Sequence, residues 1–197
     1  DIKYFGGSLE DLLLARASVD MPLLRKEFII DEYQILEAKA NGADVILLIA
    51  AVLSREEIKT FSELAKSLYL DVLLEVHNEG ELHKSVMPSL DMLGVNNRNL
   101  KTFEVSLDTS KSLSTLIPDD FVKVSESGIS SIEAIQDLKQ YDYEGFLIGE
   151  NFMKTDNPGE SAREFIENLK RQLSFRGTGN LTHRFPVPRN DKTSGKS

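Results

Sequence analysis

Four polar residues in this chain stand at or near the ends of apolar runs, and their types would make a proton-transfer site. Lys26 follows Leu23-Leu24-Arg25, and Glu75 interrupts Val72-Leu73-Leu74-Glu75-Val76. Asn96 closes Met92-Leu93-Gly94-Val95, and Glu126 follows Phe121-Val122-Lys123-Val124-Ser125. A lysine inside an enclosed mouth is desolvated and can give up a proton near neutral pH. A carboxylate in an apolar strand is costly to bury alone, so Glu75 requires a partner, either Lys26 or a substrate group. The plainer readings are a surface lysine at 26 and a structural ion pair at 75.

A second set of residues suits an anion. Arg98 could grip a carboxylate or phosphate, although Asn96-Asn97-Arg98-Asn99 by itself also reads as an asparagine-rich turn. Ser127-Gly128 follows Glu126, and Gly149-Glu150 follows Leu147-Ile148. Small residues and backbone N–H groups at such ends can cradle a phosphate. In parallel barrels the loops after the last two strands commonly do so. Each glycine alone would be a simple turn; the succession of two is the stronger signal.

These residues need a frame that brings strand ends together. Strands are expected at 21–25, 43–49, 71–76, 91–96, 121–125 and 145–148. Helical patterns fall between them, at 9–17, 31–40, 54–68, 79–86, 107–116, 130–140 and 157–173. Ser8 is a candidate N-cap, and Ser54 with Glu57 makes a capping box. The spacing of about 20 to 30 residues is the pitch of βα units. The near-continuous apolar run 43–49 suits a strand buried on both faces. The expected fold class is therefore α/β, a TIM (β/α)8 barrel that opens mid-unit at Asp1 and lacks about its first two strands. Residues 1–171 would be strands three to eight.

Composition narrows the function. The chain has 197 residues, 41% hydrophobic and 28% charged, with a net charge of −9. A complete barrel typically takes roughly 250 residues. The acidic balance argues against nucleic-acid binding but leaves room for a small anionic substrate in a locally positive site. There is no cysteine, so neither disulfide nor thiol chemistry is available, which fits a cytoplasmic protein. No apolar run approaches a membrane span, and no secretory signal pattern opens the chain. From about Gln172 the character changes to Gly, Ser, Thr, Asn and Pro. Five Lys or Arg there stand against Asp191. Residues 172–197 are expected to be a disordered basic tail that need not be native, with a basic interaction arm as the functional alternative. His77, His83 and His183 lack the spacing of a metal site, and His77 is expected to shape the mouth.

Several long runs carry a resemblance. Phe5-Gly6-Gly7-Ser8-Leu9-Glu10-Asp11-Leu12, Leu24-Arg25-Lys26-Glu27-Phe28-Ile29-Ile30-Asp31-Glu32-Tyr33-Gln34, Leu74-Glu75-Val76-His77, Gly94-Val95-Asn96-Asn97-Arg98-Asn99-Leu100 and Val124-Ser125-Glu126-Ser127-Gly128-Ile129 resemble indole-3-glycerol phosphate synthase over about residues 4–171. The resemblance implies a carboxy-lyase of tryptophan biosynthesis. It would close the indole ring of 1-(2-carboxyphenylamino)-1-deoxyribulose 5-phosphate with loss of CO2 and water, without metal or organic cofactor. It implies that Lys26 is the general acid and Glu75 an acid/base group for dehydration. Asn96 and Glu126 would orient substrate groups, Arg98 would sit near the substrate carboxylate and Ser127 would bind substrate. Gly128, Gly149 and Glu150 would form the phosphate end.

The family's first strand carries a second lysine and a glutamate, followed by a serine near the phosphate, and that segment has no counterpart here. Residues 1–5 resemble the loop after the second strand. An isolated chain of this kind is expected to be inactive and poorly stable, with two exposed sheet edges. The alternative function is a catalytically inactive phosphate-binding fragment that needs a partner to complete the barrel. Oligomeric state is not readable.

Overall fold

Strand parity sorts the core into two layers. The computed structural model describes residues 6–175. Six strands, β1 (Leu24–Arg25), β2 (Val45–Ile49), β3 (Asp71–Val76), β4 (Met92–Asn96), β5 (Val122–Glu126) and β6 (Tyr143–Leu147), pair in parallel and in chain order. Successive side chains point to opposite faces. One set, including Ile46, Leu48, Val72, Leu74, Val76, Leu93 and Val95, packs into the larger cluster with the helices. The other set, Leu47, Ile49, Leu73, Met92 and Val124, forms a separate inner cluster, flanked by Leu24, Val45, Val122 and Leu147. Two such layers on one parallel sheet are the layout of a (β/α) barrel. Among the described residues β1 and β6 do not pair with each other, so the sheet is an open arc.

The crossovers are α1 (Leu9–Ser18), which precedes β1, then α2 (Glu32–Ala40), α3 (Arg55–Ser67), α4 (Glu79–Ser85), α5 (Asp108–Leu113) and α6 (Ile132–Lys139). After β6 come α7 (Glu150–Met153) and α8 (Pro158–Phe175). Local chemistry explains their starts. Ser54 accepts from the Glu57 N–H while the Glu57 carboxylate accepts from the Ser54 N–H, closing the expected capping box. Ser8 with Asp11 and Asp31 with Gln34 form two more. In α3 the buried residues are Ile58, Phe61, Ser62 and Ala65, a helical stripe turned to the sheet. No described helix is long and apolar enough to cross a membrane.

Some boundaries depart from expectation. β6 begins at Tyr143 rather than 145, because the Tyr143 ring is buried and its hydroxyl donates to Ser110 O at 2.7 Å. Segment 97–106, between β4 and α5, is a small hairpin bridged at Arg98 and Val105. Its turn forms because the Asn99 side chain accepts from the Lys101 and Thr102 N–H groups. The last turn before Pro118 tightens to a 3-10 helix, Ser114–Leu116. Residues 1–5 and the expected basic tail from Arg176 onward lie outside the described residues, as does His183.

Candidate active site

The inner stripe of the sheet turns polar at its C-terminal end. Leu24 is followed two residues on by Lys26, Leu73 by Glu75, Gly94 by Asn96 and Val124 by Glu126. A period of two places all four polar side chains on the face of the inner cluster. The register aligns them, since Asn96 pairs with Glu126 and Glu75 with Gly94. Lys26 Nζ then lies 3.5 Å from Glu75 Oε2 and 3.6 Å from Glu126 Oε2. Both carboxylates are buried, while the Lys26 side chain is 54% exposed. The expectation of a desolvated lysine is therefore not met: β1 is the edge strand of the described sheet, and water reaches Lys26 from that side.

Glu75 is held from three sides. Asn96 Nδ2 donates to its Oε1 at 3.1 Å, and the Arg98 N–H fixes the other end of that amide by donating to Asn96 Oδ1 at 3.0 Å. His77 Nε2 is 3.2 Å from Glu75 Oε1, close but off the line of a hydrogen bond. Glu81 Oε2 accepts from the His77 N–H at 2.8 Å and lies 3.1 Å from His77 Nδ1. Burial pushes the Glu75 carboxyl up, but His77, the Lys26 charge and the Asn96 amide outweigh it and hold it down at about 2. Burial pushes His77 down, and its two glutamates outweigh that and raise it. Glu81, His77 and Glu75 thus form a chain in which the imidazole lies between two carboxylates.

Glu126 is the opposite case. Neither of its oxygens has a hydrogen-bond partner within the described protein. Burial and then the nearby Glu75 charge raise its carboxyl to about 8, against the pull of Lys26. Two carboxylates on one lysine therefore differ in protonation at neutral pH, one ionised and one carrying a proton. Gly94 makes this packing possible: a Cβ there would run into Glu126 Oε1.

The anion-suited residues lie on the same rim. Ser127 and Gly128 follow β5 with φ of 67° and 76°, a left-handed turn. The Val105 side chain fills the space where a Gly128 Cβ would stand. Gly149 and Glu150 follow β6, and the Glu150 carboxylate accepts from Arg98 Nη2 at 2.8 Å. Arg98 and Glu150, both expected to serve the substrate, are thus joined to each other across two loops. Gly149 has open space around its Cβ position.

Sequence reasoning missed Gly94, Glu81 and the orienting role of His77. The i, i+4 spacing of His77 and Glu81 was a usable signal, whereas the Gly94 contact comes from a strand about thirty residues away. Among the described residues no group of three or more His, Cys, Asp or Glu side chains could hold a metal ion.

The family model of indole-3-glycerol phosphate synthase matches residues 1–165. An indole-3-glycerol phosphate synthase of Bacteroides thetaiotaomicron is 49% identical over 170 residues, covering 86% of this chain and 65% of that protein. Namesakes from Polaromonas naphthalenivorans and Koribacter versatilis are each 46% identical over 166 residues. The chain spans 63 to 65% of the length of these relatives. Two crystal structures of KGPDC from Streptococcus mutans share the fold, with TM-scores of 0.63 and, for one that is a ligand complex, 0.68, both at 15% identity. They cover 86% of this chain, which covers 81% and 82% of them. With its polar inner stripe intact and the family model matched over most of its length, this chain belongs to the indole-3-glycerol phosphate synthase family.

Proposed function

We propose that the chain carries the catalytic face of an indole-3-glycerol phosphate synthase, acting in the cytoplasm on a small phosphorylated anion. In this reading β1 to β6 are strands three to eight of the barrel, within residues 1–171. The observation that carries the proposal is Lys26 Nζ held 3.5 and 3.6 Å from two buried carboxylates, Glu75 and Glu126. Ring closure of 1-(2-carboxyphenylamino)-1-deoxyribulose 5-phosphate needs a proton donor beside the ketone, a base for the later dehydration and a clamp on the anionic ends.

Lys26 Nζ gives its proton to the ketone oxygen as the carboxylated ring carbon attacks the carbonyl carbon. Loss of CO2 returns the electron pair to the ring. Lys26, reprotonated from the water that reaches its exposed side chain, gives a proton to the new hydroxyl, which leaves as water, and the ionised Glu75 accepts the proton released from the adjacent carbon. Glu126, protonated at neutral pH, can donate a hydrogen bond to a substrate hydroxyl, and Asn96 fixes the polar group beside it. Arg98 meets the substrate carboxylate. Ser127 with the backbone N–H groups of Gly128, Gly149 and Glu150 takes the phosphate. The Glu150 carboxylate would repel that phosphate, so its side chain serves Arg98 instead.

The test is indole-3-glycerol phosphate formation, followed by indole fluorescence, by the chain alone and after adding two βα units of a relative beside the β1 edge. Product in either setting, lost in Lys26→Ala, is the expected result. No product in both settings from a chain with a folded circular dichroism spectrum would overturn the enzymatic reading in favour of an anion-binding piece.

A further inference from the structure

Asn97 takes no part in the chemistry above, yet its side chain is 2% exposed and makes four hydrogen bonds. Its Nδ2 donates to Ser125 Oγ at 3.0 Å and to Ser127 O at 3.1 Å. Its Oδ1 accepts from the Ser110 N–H at 3.1 Å and from Ser110 Oγ at 2.8 Å. The Asn97 backbone adds two links, donating to Glu126 O at 2.9 Å and accepting from the Ser106 N–H at 3.1 Å. Ser110 in turn accepts from the Tyr143 hydroxyl through its carbonyl and shares a 2.8 Å bond with Ser125 Oγ. The carboxamide therefore ties the end of β4 to β5, to the turn after it and to helix α5, while the Asn97 backbone joins the 98–105 hairpin and Ser110 passes the link on to β6.

The turn that this carboxamide touches needs holding. Ser127 is a non-glycine residue at φ 67°, a conformation that costs on the order of 1 kcal/mol and persists where the surroundings over-determine it. Asn97 grips the Ser127 carbonyl. From above, Val105 of the hairpin closes on Gly128, and Arg98 forms the other side of that hairpin. An isolated structural hub would not need to join the two segments that face the anion.

We propose that Asn97 is a positioning residue for anion binding: its buried carboxamide fixes the left-handed Ser127–Gly128 turn, while its backbone carbonyl ties the hairpin that carries Arg98 to the same point. The proposal rests on the reading of Ser127–Gly128 as the phosphate end. Two variants separate positioning from simple support. Asn97→Ala removes the grip on the turn. Ser110→Ala removes a buried hydroxyl from the same hub but leaves both Asn97 donors in place. Both should lower the melting temperature.

Titration of the chain with inorganic phosphate, read by NMR on the Ser127 and Gly128 amides, should show Asn97→Ala binding about tenfold more weakly, with Ser110→Ala within about twofold of the parent. In turnover, Asn97→Ala should raise KM and leave kcat nearly unchanged. Equal phosphate affinity in Asn97→Ala and the parent would overturn the inference and leave the catalytic reading untouched. The predicted affinity pattern without ring closure by any form would do the reverse. If Asn97→Ala does not fold, the parent decides. Its Asn97 side-chain amide signals must move with phosphate at the same midpoint as Ser127 and Gly128. Stationary signals, or a parent that binds no phosphate, overturn the proposal.

Discussion

Glu126 lays its carboxyl over the bare backbone of Gly94, in the space a Cβ would fill. Glycine in a central parallel strand weakens the strand and usually marks such a close approach. Gly94→Ala should therefore push the carboxyl toward the mouth. Overpacking of this kind costs roughly 1–3 kcal/mol, which thermal melting would register as a fall of several degrees. The sharper readout is carboxyl NMR. In Gly94→Ala the Glu126 midpoint should drop from about 8 toward the ordinary glutamate value of 4.5 as water reaches it. An unchanged midpoint would show that the strand, not Glu126, absorbs the methyl.

Glu126 also sets a sign for pH dependence. Its folded value is raised, so the native state binds more protons than the unfolded chain between about 4.5 and 8. Its contribution to stability therefore falls as pH rises through that window. Glu75 is lowered to about 2, so its contribution is present above about 4.5 and is lost as pH falls toward 2. Urea unfolding at pH 5, 7 and 8.5 should show a decline with pH, on the order of a few kcal/mol at most. Glu126→Gln should flatten it and be the more stable protein at pH 8.5. The same decline in Glu126→Gln would assign the effect elsewhere.

His77 should titrate above its ordinary 6.5, because Glu75 and Glu81 together outweigh its burial. A raised histidine stabilises below 6.5, and that contribution is lost as pH rises through the folded value. Glu81→Gln removes one of the two charges and leaves a single amide oxygen to accept from the His77 N–H. Its imidazole midpoint, followed by proton NMR, should move down toward 6.5, with Glu75 losing part of its support. A midpoint that ignores the substitution would make Glu75 the sole partner.

Much of this site was legible because strands are periodic. Leu24 and Lys26, Leu73 and Glu75, Gly94 and Asn96, Val124 and Glu126 each lie two apart, so each polar residue inherits the face of the apolar one before it. Ser54 with Glu57 was equally readable, since a capping box is contained in four residues. What escaped depends on contacts between distant segments. Asn97 reads as one more turn asparagine until Ser110, Ser125 and Ser127 arrive from two later βα units. Tyr143 looks like the residue before a strand until its hydroxyl finds Ser110 O. Lys26 looked enclosed because it follows a strand end that should open into a barrel mouth, whereas its exposure is set by the edge position of β1.

That edge position makes the placement of Lys26 depend on Asp44. β1 aligns with β2 through only two residue pairs, Leu24 with Val45 and Arg25 with Ile46. Asp44 Oδ2 reinforces them, accepting from the Leu23 N–H at 2.8 Å and from Arg16 Nη1 at 2.8 Å. Its backbone N–H returns a bond to Leu23 O at 2.9 Å. Asp44→Ala would strand the Leu23 N–H and cut the tie to α1, at a cost of about 1–3 kcal/mol for the unpaired donor. The cost should be local. Amide exchange at 23–26 should accelerate at least tenfold, while the β3 and β4 amides, paired on both sides, keep their protection. If Lys26 depends on β1 for its place between Glu75 and Glu126, the Glu126 midpoint should rise in Asp44→Ala, because the ammonium that holds it down is released. Faster exchange at 23–26 without any movement of Glu126 would mean that the two carboxylates, not the strand, hold Lys26 in place.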